Sequence, residues 1–374
     1  MGYFKYASVS AIAIALSASA FAGPDLDTRV HDLEKQMKQV RTETASTTYG
    51  AQTASARPNV TAGGYGFFLT FDVLYFQGRV GGTEYAYTDQ DIAGLLPVSG
   101  RVKEVDFKWD WGFRAGVGYN FDHGDWDALA NYTYFNNNTS SMVTGELNGV
   151  VIPLRGTDEI TEVNANNVEF SLAQKATVEF KFSFDRIDLE LGRNFFVSRN
   201  LSFRPHAGLV TAWINLKELV RYTGGTQLDN NTVHVKDRND FWGIGPRVGA
   251  NGKWHLTNGF SIMADASGGL VYGHYGVQHK NWFSADPENQ RVRLSANMHR
   301  FAPTAQIKLG IAYDKYIYND KQHFSISLCW DTQYWWRVNQ MLRAGQEVRG
   351  RTIYTRASED VSLQGVALNV KWNF

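Results

Sequence analysis

From Val105 to Phe121 the odd positions are all apolar or aromatic, including Phe107, Trp109, Trp111, Phe113, Val117 and Tyr119. The even positions carry charge, amide or glycine, with Asp106, Lys108, Asp110 and Arg114 among them. A period of two means an extended strand with two opposed faces. The same alternation recurs along the chain and predicts ten strands. Their apolar marks run Phe67–Tyr75, Val105–Phe121, Trp126–Tyr134, Val168–Leu191, Leu201–Trp213, Trp242–Leu256, Phe260–Tyr272, Phe301–Tyr313, Phe324–Tyr334 and Leu368–Phe374. In the fourth, Val178, Phe180, Phe182 and Phe184 are even, whereas Ile187, Leu189 and Leu191 are odd. That slip predicts a β-bulge near Asp185. Pro205, Pro246 and Pro303 remove ladder bonds, and their places near the predicted strand beginnings make this tolerable. Asn148-Gly149 is a hairpin signal; if its arms spanned, the count would be twelve.

The predicted connections alternate in length. Short ones fall near 122–125, 197–200, 257–259 and 317–322, and long ones near 78–103, 139–166, 217–240, 275–298 and 337–359. Strands this long, joined this way, predict an all-β fold: a transmembrane antiparallel β-barrel of about ten strands, possibly twelve. Crossing a bilayer takes roughly 9–11 tilted residues. Closure leaves no unpaired backbone in hydrocarbon. One strand face then meets lipid and the other a lumen. Trp109, Trp111, Tyr119, Trp126, Trp254, Trp330, Trp335, Trp336 and Trp372 suit the two interfacial girdles.

The first residues follow another rule. Lys5, an apolar run and Ala20-Phe21-Ala22 read as a signal peptide over 1–22. Leu26, Val30, Leu33, Met37 and Val40 form a heptad seam on a short helix within 23–44. Residues 26–40 either join protomers as a homo-oligomer or pack on their own domain. A small, polar linker covers 45–64, and the barrel domain covers 65–374.

Composition adds exclusions. Lys and Arg number 37, as do Asp and Glu, so no nucleic-acid partner is suggested. The single Cys329 permits no internal disulfide. No phosphate loop, zinc-protease helix or C-x-x-C occurs, and no cofactor or metal site is expected. Gly243 to Gly249 resembles a nucleotide loop only faintly, since its glycines share the inward phase of a strand. His234 and His279 lie near acids without catalytic spacing, so enzyme chemistry is not expected. What remains is the inward phase. Asp106, Lys108, Asp110, Arg114, Arg204, Arg247, Lys253, Asp265, Lys308 and Asp331 are the expected pore-lining set, with Glu179 and Lys181 assigned the same phase. Two readings stay open. One is a porin-like channel for passive diffusion of ions and small solutes. The other is a plugged barrel whose long outer loops act as an adhesin on host surfaces.

The segment Trp109–Phe135, "WDWGFRAGVGYNFDHGDWDALANYTYF", resembles the MOMP-like pore-forming outer-membrane proteins of Legionella- and Chlamydia-type bacteria. Asp188–Leu209, "DLELGRNFFVSRNLSFRPHAGL", is similar to a second block of that family. The resemblance covers most of the chain beyond the signal peptide. It implies a multi-pass barrel in the bacterial outer membrane with channel activity. It also implies that the terminal Phe374 is read by barrel-assembly machinery. One cysteine departs from the cysteine-rich chlamydial members and puts a disulfide-linked network in doubt.

Overall fold

The computed structural model describes residues 66–374 apart from 90–99, 123–124, 146–149, 156–161, 164–168, 171–172, 199, 225–231, 286, 289, 291, 318–321 and 348–351. The signal peptide, heptad helix and linker expected before residue 65 lie outside the described residues. Ten long strands carry the fold: β1 (Gly66–Val80), β2 (Trp109–Asn120), β3 (Trp126–Thr144), β4 (Lys175–Arg193) and β5 (Leu201–Thr223). They continue as β6 (Thr232–His255), β7 (Phe260–Phe283), β8 (Val292–Ile317), β9 (Gln322–Asn339) and β10 (Glu359–Asn373). Each pairs antiparallel with its chain neighbours, and β1 pairs with β10 from Phe68–Asn373 to Val80–Val361. The sheet is therefore a closed ten-strand barrel. Chain entry and exit lie at the end where the tight turns lie, since Gly66 also pairs with Asn120. At one of those turns Asn258 and Gly259 take positive φ values of 53° and 85°. A left-handed pair suits a tight hairpin because its twist matches that of the strands.

The apolar outward face forms a belt. On β8 it runs Phe301, Pro303, Ala305, Ile307, Leu309, Ile311 and Tyr313, with Ile307 54% exposed. That stretch measures roughly 40 Å along the strand, or about 30 Å of bilayer at the usual barrel tilt. Aromatic residues close it at both levels. Tyr75, Trp111, Tyr134, Trp213, Trp242 and Tyr272 mark the long-loop side, and Phe67, Tyr119, Trp126, Trp254, Tyr313 and Trp372 mark the tight-turn side.

Above the belt, on the long-loop side, the polarity inverts. Polar residues face out, while Phe135, Phe180, Phe182, Phe184, Tyr222, Phe241 and Tyr275 are buried inside. This inversion explains four departures from the sequence pattern. The fourth strand has no bulge: its register against β3 and β5 is continuous, and the apolar residues simply change face. The same change of face puts Glu179 and Lys181 outside instead of in the lumen, and Glu179 binds Arg221 there at 2.6 Å. Residues 217–240 and 275–298 are not long loops, because β5 to β8 continue upward as protruding hairpins. Trp335 belongs to no girdle and is fully buried inside.

Other details differ as well. Val168 lies outside the described residues, and Glu169–Phe170 is not in the spanning strand but pairs with Glu162–Val163 in a small ladder of its own. Val150–Pro153 pairs with Ala86–Asp89, which also pairs with Gly100–Lys103, so the arms flanking Asn148-Gly149 do not span. Pro205 stays near the start of β5, but Pro246 and Pro303 sit well inside strands, because β6 and β8 begin earlier than the pattern indicated. The β6–β7 ladder skips Gly245 and Pro246 yet keeps its register on either side.

Candidate functional site

At mid-height the lumen holds a connected ionic layer. Arg114 on β2 sends Nη1 to Asp72 Oδ2 on β1 at 2.8 Å, and Nη2 to Asp331 Oδ2 on β9 at 2.9 Å. Its Nε donates to Thr133 Oγ1 at 3.0 Å. Gln306 Nε2 donates to Asp331 at 2.9 and 3.0 Å, while its Oε1 accepts from Arg186 at 3.2 Å and Arg247 at 3.3 Å. Arg186 lies on β4 and Gln306 on β8, so this link reaches across the barrel. Arg186 also binds Asp188 at 2.7 Å and Gln333 at 3.0 Å. Arg247 pairs with Glu190. Arg204 holds Asp127 through Nε at 2.8 Å and Glu190 through Nη1 at 3.3 Å. Every charge in this layer has an opposite neighbour, which a low-dielectric interior demands.

Toward the tight-turn end the lining stays polar. Lys253 Nζ lies 2.5 Å from Asp314, and His323 Nε2 lies 3.3 Å from the same carboxylate. Two cavities occupy this half. One of about 130 Å³ is lined by Arg114, His206, Arg247, Asp265 and Lys308. The other, of about 250 Å³, is lined by Asn194, Lys253, His255, His323 and Lys371 near the tight turns. Asn251, Arg204 and Asp265 border both, so the two are contiguous.

Of the ten expected lining residues, Arg114, Arg204, Arg247, Lys253, Asp265, Lys308 and Asp331 face this lumen. Asp110 points inward near the top of the belt, half-buried, with Oδ1 accepting from the Trp111 amide at 2.8 Å. Asp106 and Lys108 do not line it; both are exposed. The ladder of β2 begins only at Trp109, so the phase turns over before it. Val105 and Phe107 go inside instead, with the Phe107 ring 5.2 Å from Phe180. Thr139 and Asn137 hold this segment by donating to the carbonyls of Asp106 and Lys108. The sequence reading missed Asp72, Arg186, Asp188 and Glu190. A signal existed: Asp72 is the register partner of Arg114, and Arg186 to Glu190 alternate with the lipid-facing Ile187 and Leu189. Cys329 is buried, on the inward-facing phase of β9.

A second ionic cluster lies above the belt on the long-loop side. Arg155, from the segment after Val150–Pro153, packs on the inner face of β5 and β6, where Glu218 and Asp237 are cross-strand partners. Its Nη2 lies 3.0 Å from Glu218 and its Nη1 3.9 Å from Asp237. Its guanidinium also donates to the carbonyls of Gly82 and Glu84 at 2.8 and 3.0 Å. Burial alone would lower its proton affinity, but Glu218 and Asp237 outweigh that and hold it above the ordinary arginine range. His279 backs Asp237 at 2.6 Å, while His234 stacks on Trp282 and its Nε2 lies 2.7 Å from Ser284 Oγ. Arg155→Met leaves two buried carboxylates facing a thioether, a loss of about 3–5 kcal/mol in this cluster. Protease added to intact cells is expected to cut the outer segments of this variant faster than those of the wild type. The barrel should keep its heat-modifiable migration on gels; equal cutting rates would show that the cluster does not hold those segments.

A closed cylinder with a greasy belt, two aromatic girdles and a charged interior defines an outer-membrane β-barrel. The chain belongs to the family described as Legionella pneumophila major outer membrane protein precursor, whose model matches residues 61–374. No curated protein is detectably similar in sequence. Among solved structures it is similar to the outer-membrane protease OmpT of Escherichia coli, at 10% identity and a TM-score of 0.37, over 83% of this chain and 97% of that one. It is also similar to the Pseudomonas putida toluene transporter TodX, at 10% identity, a TM-score of 0.28 and coverage of 88% and 93%. A third is the translocator domain of the autotransporter NalP from Neisseria meningitidis, at 8% identity, a TM-score of 0.29 and coverage of 93% and 98%.

Proposed function

We propose that the protein is a channel for ions and small solutes, held shut in the conformation described here. It carries out no covalent chemistry. The supporting observation is the ionisable lining from the tight-turn end to mid-height. Packing the same volume with apolar side chains would be no less stable, and often more so, than a buried ion network. Stability alone therefore does not account for Lys253, Asp265, Lys308 and Lys371 beside contiguous cavities. Water and solute enter from the tight-turn side, and the Arg114 and Arg186 layer meets them as a charged gate. Opening then requires the apolar core above it to part.

That core favours a second reading. Phe182, Phe184, Phe241 and Trp335 are buried at the only exit on the long-loop side among the described residues. A barrel permanently plugged there would act as a platform for its outer segments, as an adhesin does. Planar-bilayer recording separates the two. The channel reading expects rare, short steps from the wild type and frequent steps from Arg186→Ala/Trp335→Ala, with the double variant still closed as a barrel by gel migration. Silence from both proteins would leave the plugged platform.

A further inference from the structure

We propose that the outward face of β4–β8, just above the aromatic girdle, binds the phosphate groups of outer-leaflet glycolipid. The face carries Lys181, Lys217, Arg238, Lys236, Lys280 and Arg293. Their register sets like charges directly opposite one another. Lys217 pairs with Lys181 on one side and Arg238 on the other, and Lys280 pairs with Lys236 and Arg293. Directly opposed like charges destabilise a sheet. Asp240 offsets Arg238 at 2.5 Å, but Lys217, Lys236, Lys280 and Arg293 make no ion pair among the described residues. An anion bridging the two rows relieves that repulsion.

The position selects the anion. Lys280 stands higher, eight residues beyond Tyr272, whereas Lys217 is four residues beyond Trp213, about 13 Å along a tilted strand, which places the lower row roughly 10 Å above the hydrocarbon edge. Phosphates on lipid headgroups lie at that level. A cavity of about 410 Å³ opens sideways between Lys236, Arg238 and Lys280, floored by Gln278 and Trp282. It opens onto the wall of the barrel, in line with the lipid-facing belt below. A groove on the opposite wall is acidic on balance, with Glu104, Asp106, Glu359 and Asp360 against the single cation Arg79. The protein is neutral as a whole, so the basic face is a matter of arrangement and not of composition.

The test uses the purified full chain in detergent, native mass spectrometry, and three probes: bisphosphorylated lipid A, the same lipid with both phosphates removed, and heparin. The phosphorylated lipid should bind tightest. Lys217→Gln/Lys236→Gln/Lys280→Gln should weaken it on the order of 100-fold, from about a fivefold loss per basic residue. In phosphate-free detergent that variant should melt above the wild type, because the opposed charges are gone, and phosphorylated lipid should close the gap. Equal binding of the dephosphorylated lipid overturns the proposal, as does unchanged affinity in the folded variant. Heparin binding without a lipid preference would instead assign the face to sulfated glycans. If the variant does not fold, the comparison of lipids on the wild type decides alone.

Discussion

Arg114→Ala is expected to destabilise the folded barrel by about 3–5 kcal/mol in urea titrations from lipid vesicles, the cost of leaving buried charge without its partner. Asp72 and Asp331 are 4% and 0% exposed, and the guanidinium is the only cation that binds both among the described residues. Removing it leaves two buried carboxylates facing each other without the guanidinium between them. The Coulombic origin of the loss has a signature. Arg114→Ala/Asp72→Asn/Asp331→Asn should recover most of the stability, since neutral amides in the same places cost far less to bury. A triple variant no more stable than the single one would mean that Arg114 acts by packing alone. Gln306 and Asn369 already hydrogen-bond the side chains at 331 and 72, so the replacement amides have partners in place.

Trp335→Ala is expected to cost about 3–5 kcal/mol, the usual range for deleting a buried tryptophan. The indole is wedged between the ionic layer and the apolar core above it. Its ring lies 5.8 Å from Phe184 and 6.5 Å from Phe241, and the Arg186 guanidinium lies 5.9 Å from its centre. Trp335→Phe, which keeps the aromatic face, should lose less than half as much. The same urea titrations measure both. A loss from Trp335→Ala as small as that from an exposed girdle residue such as Trp330 would place the side chain outside the core.

The strand count, the tight turns and the mid-lumen cations were legible because a single rule governs them. Within the bilayer the outside must be apolar and the inside is free to be polar. Arg114, Arg204, Arg247 and Asp331 follow from that rule alone. Above the bilayer the solvent changes and the rule turns over, although the backbone continues without a break. Val178 to Phe184 then imitate lipid-facing residues one register out of step, which the pattern reads as an inserted residue. Lys217 to Asp240 imitate a loop for the same reason, since their polar face now points outward. Asp106 and Lys108 were misplaced because the ladder of β2 starts at Trp109, and alternation carries no information about where pairing begins. Arg155 left no trace in any local pattern: its partners Glu218 and Asp237 are set by the fold, far along the chain.

The pairing of β1 with β10 joins the first and last strands of the barrel, down to the amide of Phe374 donating to the carbonyl of Phe67 at 3.3 Å. Nothing can seal that seam until β10 has been made. A chain stalled anywhere short of its last strand exposes two raw edges, each a template for a stranger. The cell must therefore shelter a long, sticky intermediate, because the step that makes it safe comes last.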